Sequence, residues 1–384
     1  MKVLNRINDA RIKSLNVMLE LSIKEYYDLS TSILDNNIFQ RGKVKSSSVV
    51  YSLLKSDLKT GCIIPPIVLS LSARINENIS DDDLIKYIKE NKNKLSILDG
   101  LQRTFVIKDL VNETQEDDTG FLFNNKVRIE VYVGIEKLGI LYRMLTLNTG
   151  QTQMSVRHQI EIIYSNYIEE GLDDIGVKLI REIDDETPRL LGEYKFRDVI
   201  EGFSAYLRRN YLTLDREDLL EIIESLEKLS KEQENIDLFK MFLISYHGFV
   251  KFIFDNSNNW QFDDKYLTLN GRPFSVNALN MFNKSQTMTG FGAAIGKLID
   301  NASISNIDDI QRMINKIDLG NIDNNLYDLL KQFDYIQTTA KKIGNDQRMF
   351  FYYLFRALFN VDSDGYLSLE KSIQEAKLQY SRNV

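Results

Sequence analysis

The chain has one cysteine, two histidines and four prolines in 384 residues, and each scarcity excludes something. A lone cysteine forms no internal disulfide and no multi-cysteine zinc site. Cys62 stands in TGCIIPPIVL at the start of an apolar run, where a buried structural thiol is expected. Two histidines, His158 and His247, leave no HExxH zincin, no Cys/His finger and little room for a histidine-centred nuclease. Proline is too sparse, and Pro/Gly/Ser-rich tracts too short, for a flexible linker, so two domains would meet through a rigid junction. Long apolar runs are lacking as well. The longest such region, FKMFLISYHGFVKFIF, carries Lys240, His247 and Lys251 and is too short to cross a bilayer. The first residues, MKVLNRINDARIKSL, lack the apolar core of a signal peptide. These absences together favour a cytoplasmic protein with no membrane partner.

What is present is ordinary for a globular protein: 43% hydrophobic and 27% charged residues, in a chain long enough for two cores. A net charge of -7 opposes nonspecific coating of DNA. A local basic groove remains compatible with it, because nucleic-acid affinity follows the local field.

Periodicity divides the chain. SSSVVYSLLKSDLKTG sets Val49, Val50, Leu53, Leu54 and Leu58 at helical spacing, with Gly61 to end the helix. IIPPIVLSLSA reads as a strand whose prolines suit a strand start or a sheet edge. DDDLIKYIKENKN is a helix opened by aspartates at its positive end, LSIL a short buried strand, and GLQRTFVIKDLV a helix. VRIEVYVG alternates Val127, Ile129, Val131 and Val133, and IEKLGILYRMLTLN is helical up to the polar turn NTGQTQMS. From SVRHQIEIIYSNYIEEG onward helical intervals dominate and strand alternation is absent. The expected class is α+β: a small mixed α/β domain with N-terminal helices over residues 1–155, then a helical domain over 156–384.

The segment SILDGLQRTFVI carries the sharpest chemistry. Asp99-Gly100-Leu101-Gln102-Arg103 falls where a strand becomes a helix, and a helix N-terminus offers amide donors to an anion such as phosphate. Gly100 permits a sharp turn and close backbone approach, Arg103 a two-point grip on phosphate, and Asp99 a metal ligand, a water-orienting group or a helix cap. A capped turn with a salt-bridged arginine is the plain alternative, and the pentapeptide alone leaves both open.

Three stretches in order widen the view: FQRGKVKSSSVVYSLLKSDLKTGCIIPPIVLSL, SILDGLQRTFVI and LYRMLTLNTGQTQMSVRHQIEII. Together they resemble the ParB/sulfiredoxin-like fold in its DGQQR/DGQHR branch, which includes the N-terminal half of GmrSD-type modification-dependent restriction proteins and the regulators of DNA phosphorothioation clusters. The likeness covers about a third of the chain. It implies a ParB-like domain that binds a nucleoside triphosphate (ATP, GTP or CTP, unresolved) and, in its enzymatic version, hydrolyses it, in DNA-directed defence or regulation. Carried over by position, Asp99, Gly100, Gln102 and Arg103 match the signature, Gln40 and Arg41 the early pair, and Asn148, Thr149, Gly150 and Gln151 the later turn, with Thr104 adding a hydroxyl at the same edge. In the hydrolytic version Asp99 positions Mg²⁺ or water while Arg41 and Arg103 neutralise phosphate charge. Three positions depart from the pattern. Leu101 replaces the signature's first glutamine, Lys45 stands in the region where an aromatic often follows the early pair, and Cys62 is outside any sulfiredoxin-type cysteine motif. The alternative is a noncatalytic DNA-binding or protein-scaffolding regulator, and a third reading is a partner-dependent subunit whose nuclease or modification enzyme is a separate chain. DNA, modified in some such systems, is the implied partner.

The second half lacks the histidines of a histidine-asparagine-histidine nuclease, so no autonomous nuclease is expected. His247 and His158 read as packing or hydrogen-bonding residues. YKFRDVIEGFSAYLRRNY mixes aromatics with Lys195, Arg197, Arg208 and Arg209, either a DNA-binding face or an amphipathic helix with solvated arginines. FNVDSDGYLSLEK places Asn360, Asp362, Asp364 and Gly365 as in a calcium loop, but Lys371 occupies the position of the bidentate glutamate, which makes a polar interhelical turn the expectation. Gly290, Gly292 and Gly296 in TMTGFGAAIGKLID read as close helix contacts or a glycine loop rather than a dinucleotide site. Asp184, Asp185 and Glu186 read as a solvated loop before Pro188.

Overall fold

Alternation decides the first unit. The computed structural model describes residues 1–36, 48–73, 75, 79–115, 119–147, 164, 166–169, 171–181, 184, 186–213, 222, 237–263 and 272–383. It divides into two compact units, Met1–Met154 and Ser155–Val384. The fold is α+β: a mixed sheet with helices in the first unit and a mainly helical second unit.

In the first unit the described elements are β1 (Lys2–Asp9), β2 (Ser14–Ser22), α1 (Ile23–Asn36), α2 (Ser48–Lys59), β3 (Ile67–Leu71), α3 (Asp81–Glu90), β4 (Leu95–Asp99), α4 (Leu101–Glu113), α5 (Gly120–Asn124), β5 (Lys126–Val133) and α6 (Lys137–Leu147). The sheet order is β1-β2-β5-β3-β4. β2 pairs antiparallel with β1 and β5, β3 runs parallel to β5, and β4 closes the sheet antiparallel to β3. N-terminal helices were expected from the sequence. The chain instead opens on a hairpin, and α1 follows only at Ile23. β3 starts directly after Pro66 but is an interior strand, so the prolines mark its start and not an edge.

Leu15, Val17, Leu19 and Leu21 of β2 lie opposite Val133, Val131, Ile129 and Val127 of β5. This common face, continued by Ile67, Leu69 and Leu71 of β3, packs on Tyr26, Leu29 and Ile33 of α1 and Val106, Ile107 and Leu110 of α4. Cys62 is exposed, contrary to the expected buried thiol. It sits just past the left-handed Gly61 that ends α2, and the buried part of the apolar run begins only at Ile64.

The second unit holds α7 (Asn166–Glu169), β6 (Lys178–Ile180), β7 (Glu193–Lys195), α8 (Phe196–Arg208), α9 (Leu238–Asn256), α10 (Ala278–Phe282), α11 (Ser285–Asp300), α12 (Asp308–Ile314), α13 (Ile322–Thr339), α14 (Ile343–Phe359) and α15 (Leu369–Asn383). The two short parallel strands β6 and β7 were not foreseen; three residues each are too few to show a period. The core is aromatic, with Phe203, Phe242, Tyr246, Phe249, Phe291 and Phe355 in edge-on, tilted and stacked contacts. The long apolar region of the sequence is α9, packed inside this unit. Among the described residues no helix is long and apolar enough to cross a membrane.

α8, α11 and α14 run in the same direction. Gly202 of α8 faces Met288, while Tyr206, one turn on, faces Gly292 and Gly296 of α11. Gln286 reaches Gln347 of α14, and Gly290 packs on Phe351 and Tyr352. The glycines of TMTGFGAAIGKLID therefore lie inside α11 and make close helix contacts.

Candidate functional site

The Asp-Gly-x-x-Arg segment is a strand–turn–helix, as its spacing predicts. Asp99 ends β4, Gly100 is the N-cap of α4 with φ +95°, and α4 begins at Leu101. Only glycine takes that backbone conformation without strain. A side chain there would also press on Ile67, whose Cγ1 would lie 3.0 Å from a Cβ. Having no side chain, Gly100 cannot cap the first amides of α4, so the positive end of a 13-residue helix has no side-chain oxygen from its N-cap.

Arg103 does not project away from this end. Its Nη2 donates to Asp99 Oδ2 at 2.6 Å, and its Nη1 donates to the carbonyls of Pro65 at 2.6 Å and Pro66 at 3.0 Å. The guanidinium thus ties the β4–α4 turn to the residues leading into β3. Asp99 and Arg103 neutralise one another: of the plain alternative, the salt-bridged arginine is what the chain adopts, while no side chain caps the helix. Gln102 accepts a hydrogen bond from the Tyr51 hydroxyl of α2. Thr104, expected at the ligand edge because it directly follows Arg103, is instead fully buried. Its hydroxyl meets the Gly100 carbonyl at 3.1 Å and the Tyr26 hydroxyl at 2.7 Å. Burial pushes the Tyr26 phenol well above its ordinary pKa, so it stays a neutral hydrogen-bonding post between α1 and α4. The roles of Tyr26, Tyr51 and the two proline carbonyls have no signal in the motif; they come from elements distant in sequence. Gln40, Arg41, Asn148, Thr149, Gly150, Gln151 and His158 lie outside the described residues.

The first unit also has a cavity of about 570 Å³ at the opposite end of the strands, lined by Asp9, Lys13, Ser14, Val133, Gly134 and Glu136 among others. Ser14 Oγ is buried without a hydrogen-bond partner among the described residues. Nearby, Arg143 of α6 pairs with Asp9 and lies over the ring of Tyr132, while Asn16 and Tyr132 both donate to Glu130.

The four basic residues proposed for DNA do not form one exposed basic surface. Arg208 is buried and donates to the Leu212 carbonyl. Arg209 pairs with Asp300 and with the carbonyls of Tyr206 and Leu207. The expectation of solvated arginines fails at this end of α8, because α8 is an interior helix buried on most sides. Lys195 and Arg197 lie at its other end, with Lys195 exposed and Arg197 paired to Asp198 at 3.3 Å.

His247 is half-buried in α9, its Nδ1 3.0 Å from the Tyr194 hydroxyl. Burial first, then Lys251, lowers its pKa from the ordinary 6.5, against a smaller opposing effect of Asp255. A histidine depressed on folding binds fewer protons in the native state. Its stabilising contribution is present above the unfolded value and is lost as pH falls from there through the folded pKa. Melting temperature should therefore drop on acidification below about pH 6.5, and His247→Gln, which keeps an acceptor for Tyr194, should flatten that part of the profile.

The calcium-like segment is the turn between α14 and α15. Ser363 Oγ and the Gly365 amide both donate to Glu375, and Asn360 Oδ1 accepts from the Asp362 amide. Among the described residues no group of three or more His, Cys, Asp or Glu is placed to hold a metal ion. In the IDDET segment Asp184 pairs with Arg181, and Glu186 with Lys178, both at the surface.

Compared with known proteins, the chain matches no family model, no curated protein and no solved structure. The likeness to the DGQQR/DGQHR branch accordingly stands on the three ordered motifs alone.

Proposed function

We propose that this chain is a regulatory, nucleotide-binding and DNA-sensing component of a prokaryotic or phage-related defence or DNA-modification system, which binds nucleotide without hydrolysing it and acts through a separate effector. One observation carries the noncatalytic part: the guanidinium of Arg103 is engaged by Asp99 and by the carbonyls of Pro65 and Pro66. The two groups that hydrolysis would recruit are thus occupied in holding the turn. The N-terminal amides of α4 remain as the anion-attracting feature, which supports binding over turnover. Cytoplasmic residence and a separate nuclease or modification subunit belong to the same reading.

Calorimetric titration of the purified protein with ATP, GTP and CTP, with and without DNA, beside a phosphate-release assay, tests this. Binding of at least one nucleotide without turnover is expected. Gln102→Glu, which places a carboxylate beside the α4 amides, should weaken that binding about tenfold, the effect of a repulsive charge at a phosphate contact, while leaving the helix stable. Turnover that disappears in Asp99→Asn would restore the hydrolase, and no binding of any of the three nucleotides would remove the nucleotide from the proposal.

A further inference from the structure

The second unit brings three positive helix ends together. α8, α11 and α14 are neighbours running the same way, so their N-termini lie toward one end of the unit. Parallel neighbours add their dipoles there instead of cancelling them. Each of these helices begins with lysine at its N-cap, Lys195, Lys284 and Lys342, and none of the three receives a side-chain cap. α9, α10 and α13 instead use Asp237, Asn277 and Asn321, whose side chains accept from their own first-turn amides. A cation at the positive end of a helix is the unfavourable choice, and here it is made at three adjoining ends.

Arg348 supplies the independent observation. It is buried, and its guanidinium points from α14 to the first residue of α11. There Nη2 has, among the described residues, long contacts alone, 3.5 Å to Ser285 Oγ and 3.4 Å to Glu201 Oε2. Its Nε has no hydrogen-bond partner among the described residues. A buried guanidinium normally satisfies its donors at about 2.9 Å. Ser285 and Gln286 beside it are only partly buried, so an anion has access. Lys284 stands half-buried at the same point, its Nζ 5.0 Å over the ring of Phe274. Its ammonium pKa is lowered by burial and by Lys195, with Asp198 acting the other way.

We propose that the joined N-terminal ends of α8, α11 and α14 bind a phosphoryl group, gripped by Arg348, Ser285, Lys284 and the first amides of α11, with Lys195 at the rim. The group belongs either to a DNA backbone or to a free phosphate or nucleotide. The carboxylates nearby limit the charge without reversing it. Lys195, Arg197, Lys284 and Arg348 face Asp198 and Glu201, and burial raises the Asp198 pKa toward its neutral form. Asp346, in the first turn of α14, accepts from the Tyr380 hydroxyl. An arriving phosphate competes with Glu201 for Arg348 and provides the close bidentate acceptor the guanidinium lacks. This site is in a different unit from the Asp99–Arg103 turn and does not depend on it.

The test uses the full chain, titrated with inorganic phosphate, ATP and a short fluorescent DNA duplex, beside Lys284→Gln and Arg348→Lys. Arg348→Lys keeps the charge against Glu201 but loses the planar fork, and circular dichroism and melting verify that both variants fold. A DNA-backbone source predicts about tenfold weaker duplex binding in each variant, with the salt slope reduced by about one in Lys284→Gln. A soluble source predicts the same loss for phosphate or ATP with duplex binding unchanged. If folded Lys284→Gln and Arg348→Lys bind all three probes as the parent does, the proposal is overturned. Gln102→Glu separates the two readings: it weakens the nucleotide binding assigned to the α4 turn and should leave the losses caused by Lys284→Gln and Arg348→Lys unchanged.

Discussion

Gly292→Ala should destabilise the helical unit by roughly 2–3 kcal/mol, in the range of an overpacked core, although alanine is the better helix former by about 1 kcal/mol. The reason is the α8–α11 contact. A Cβ at Gly292 would overlap the Gly202 carbonyl and come within 2.9 Å of the Tyr206 amide nitrogen. Both are backbone atoms of a buried helix and have no rotamer to change. Relief requires moving α8 and α11 apart, which opens gaps around Phe203, Phe242 and Phe291. Gly248 in α9 is the matched control, because a Cβ there would meet only the side chain of Ile314 at an ordinary 3.4 Å. Gly248→Ala should be neutral or stabilising by up to about 1 kcal/mol. Denaturant midpoints of the two variants decide the matter: equal stabilities would mean that the glycine contact between the helices is not tight.

The same glycines show what was legible in the sequence. Gly290, Gly292 and Gly296 at helical spacing suggested close packing, and that is their role in α11. β5 was readable because its buried face repeats every second residue, and β3 and β4 because they are short apolar runs. β2 carries the same alternation in Leu15, Val17, Leu19 and Leu21, but its partner β1 is mostly exposed, so polar residues hid the hairpin. Gly100 at a strand–helix junction announced its turn. A salt-bridged Arg103 was one of the two readings of the motif, but its grip on Pro65 and Pro66 was not legible, since these acceptors are main-chain oxygens more than thirty residues away. The basic residues of α8 were seen as one set because they lie within fourteen positions of one another; the fold sends Arg208 and Arg209 to one end of the helix and leaves Lys195 and Arg197 at the other. Lys284 and Arg348 join the second pair only through the parallel arrangement of α8, α11 and α14, which periodicity does not encode.

Arg103→Ala separates bracing from ligand chemistry, and it should lower the stability of the first unit by about 2–4 kcal/mol, as for the loss of one partner from a largely buried ion pair. The Arg103 and Asp99 side chains are only 12% and 19% exposed, so removing the guanidinium leaves a carboxylate with little water to replace its partner. It also leaves the Pro65 and Pro66 carbonyls without their donor where β3 begins. Arg103→Lys should recover little of the loss. One ammonium cannot reproduce the fork that meets a carboxylate on one nitrogen and two carbonyls on the other. Asp99→Asn keeps an acceptor and should cost closer to 1 kcal/mol, the difference between a charged and a neutral hydrogen bond. Stability and nucleotide affinity, measured on the same preparations, then read out separate roles. A brace predicts that stability falls in the order Asp99→Asn, Arg103→Lys, Arg103→Ala, with affinity following it. A lysine variant that melts like the parent but no longer binds nucleotide would make Arg103 a ligand-contacting residue, and the inward clamp a resting arrangement that the ligand displaces.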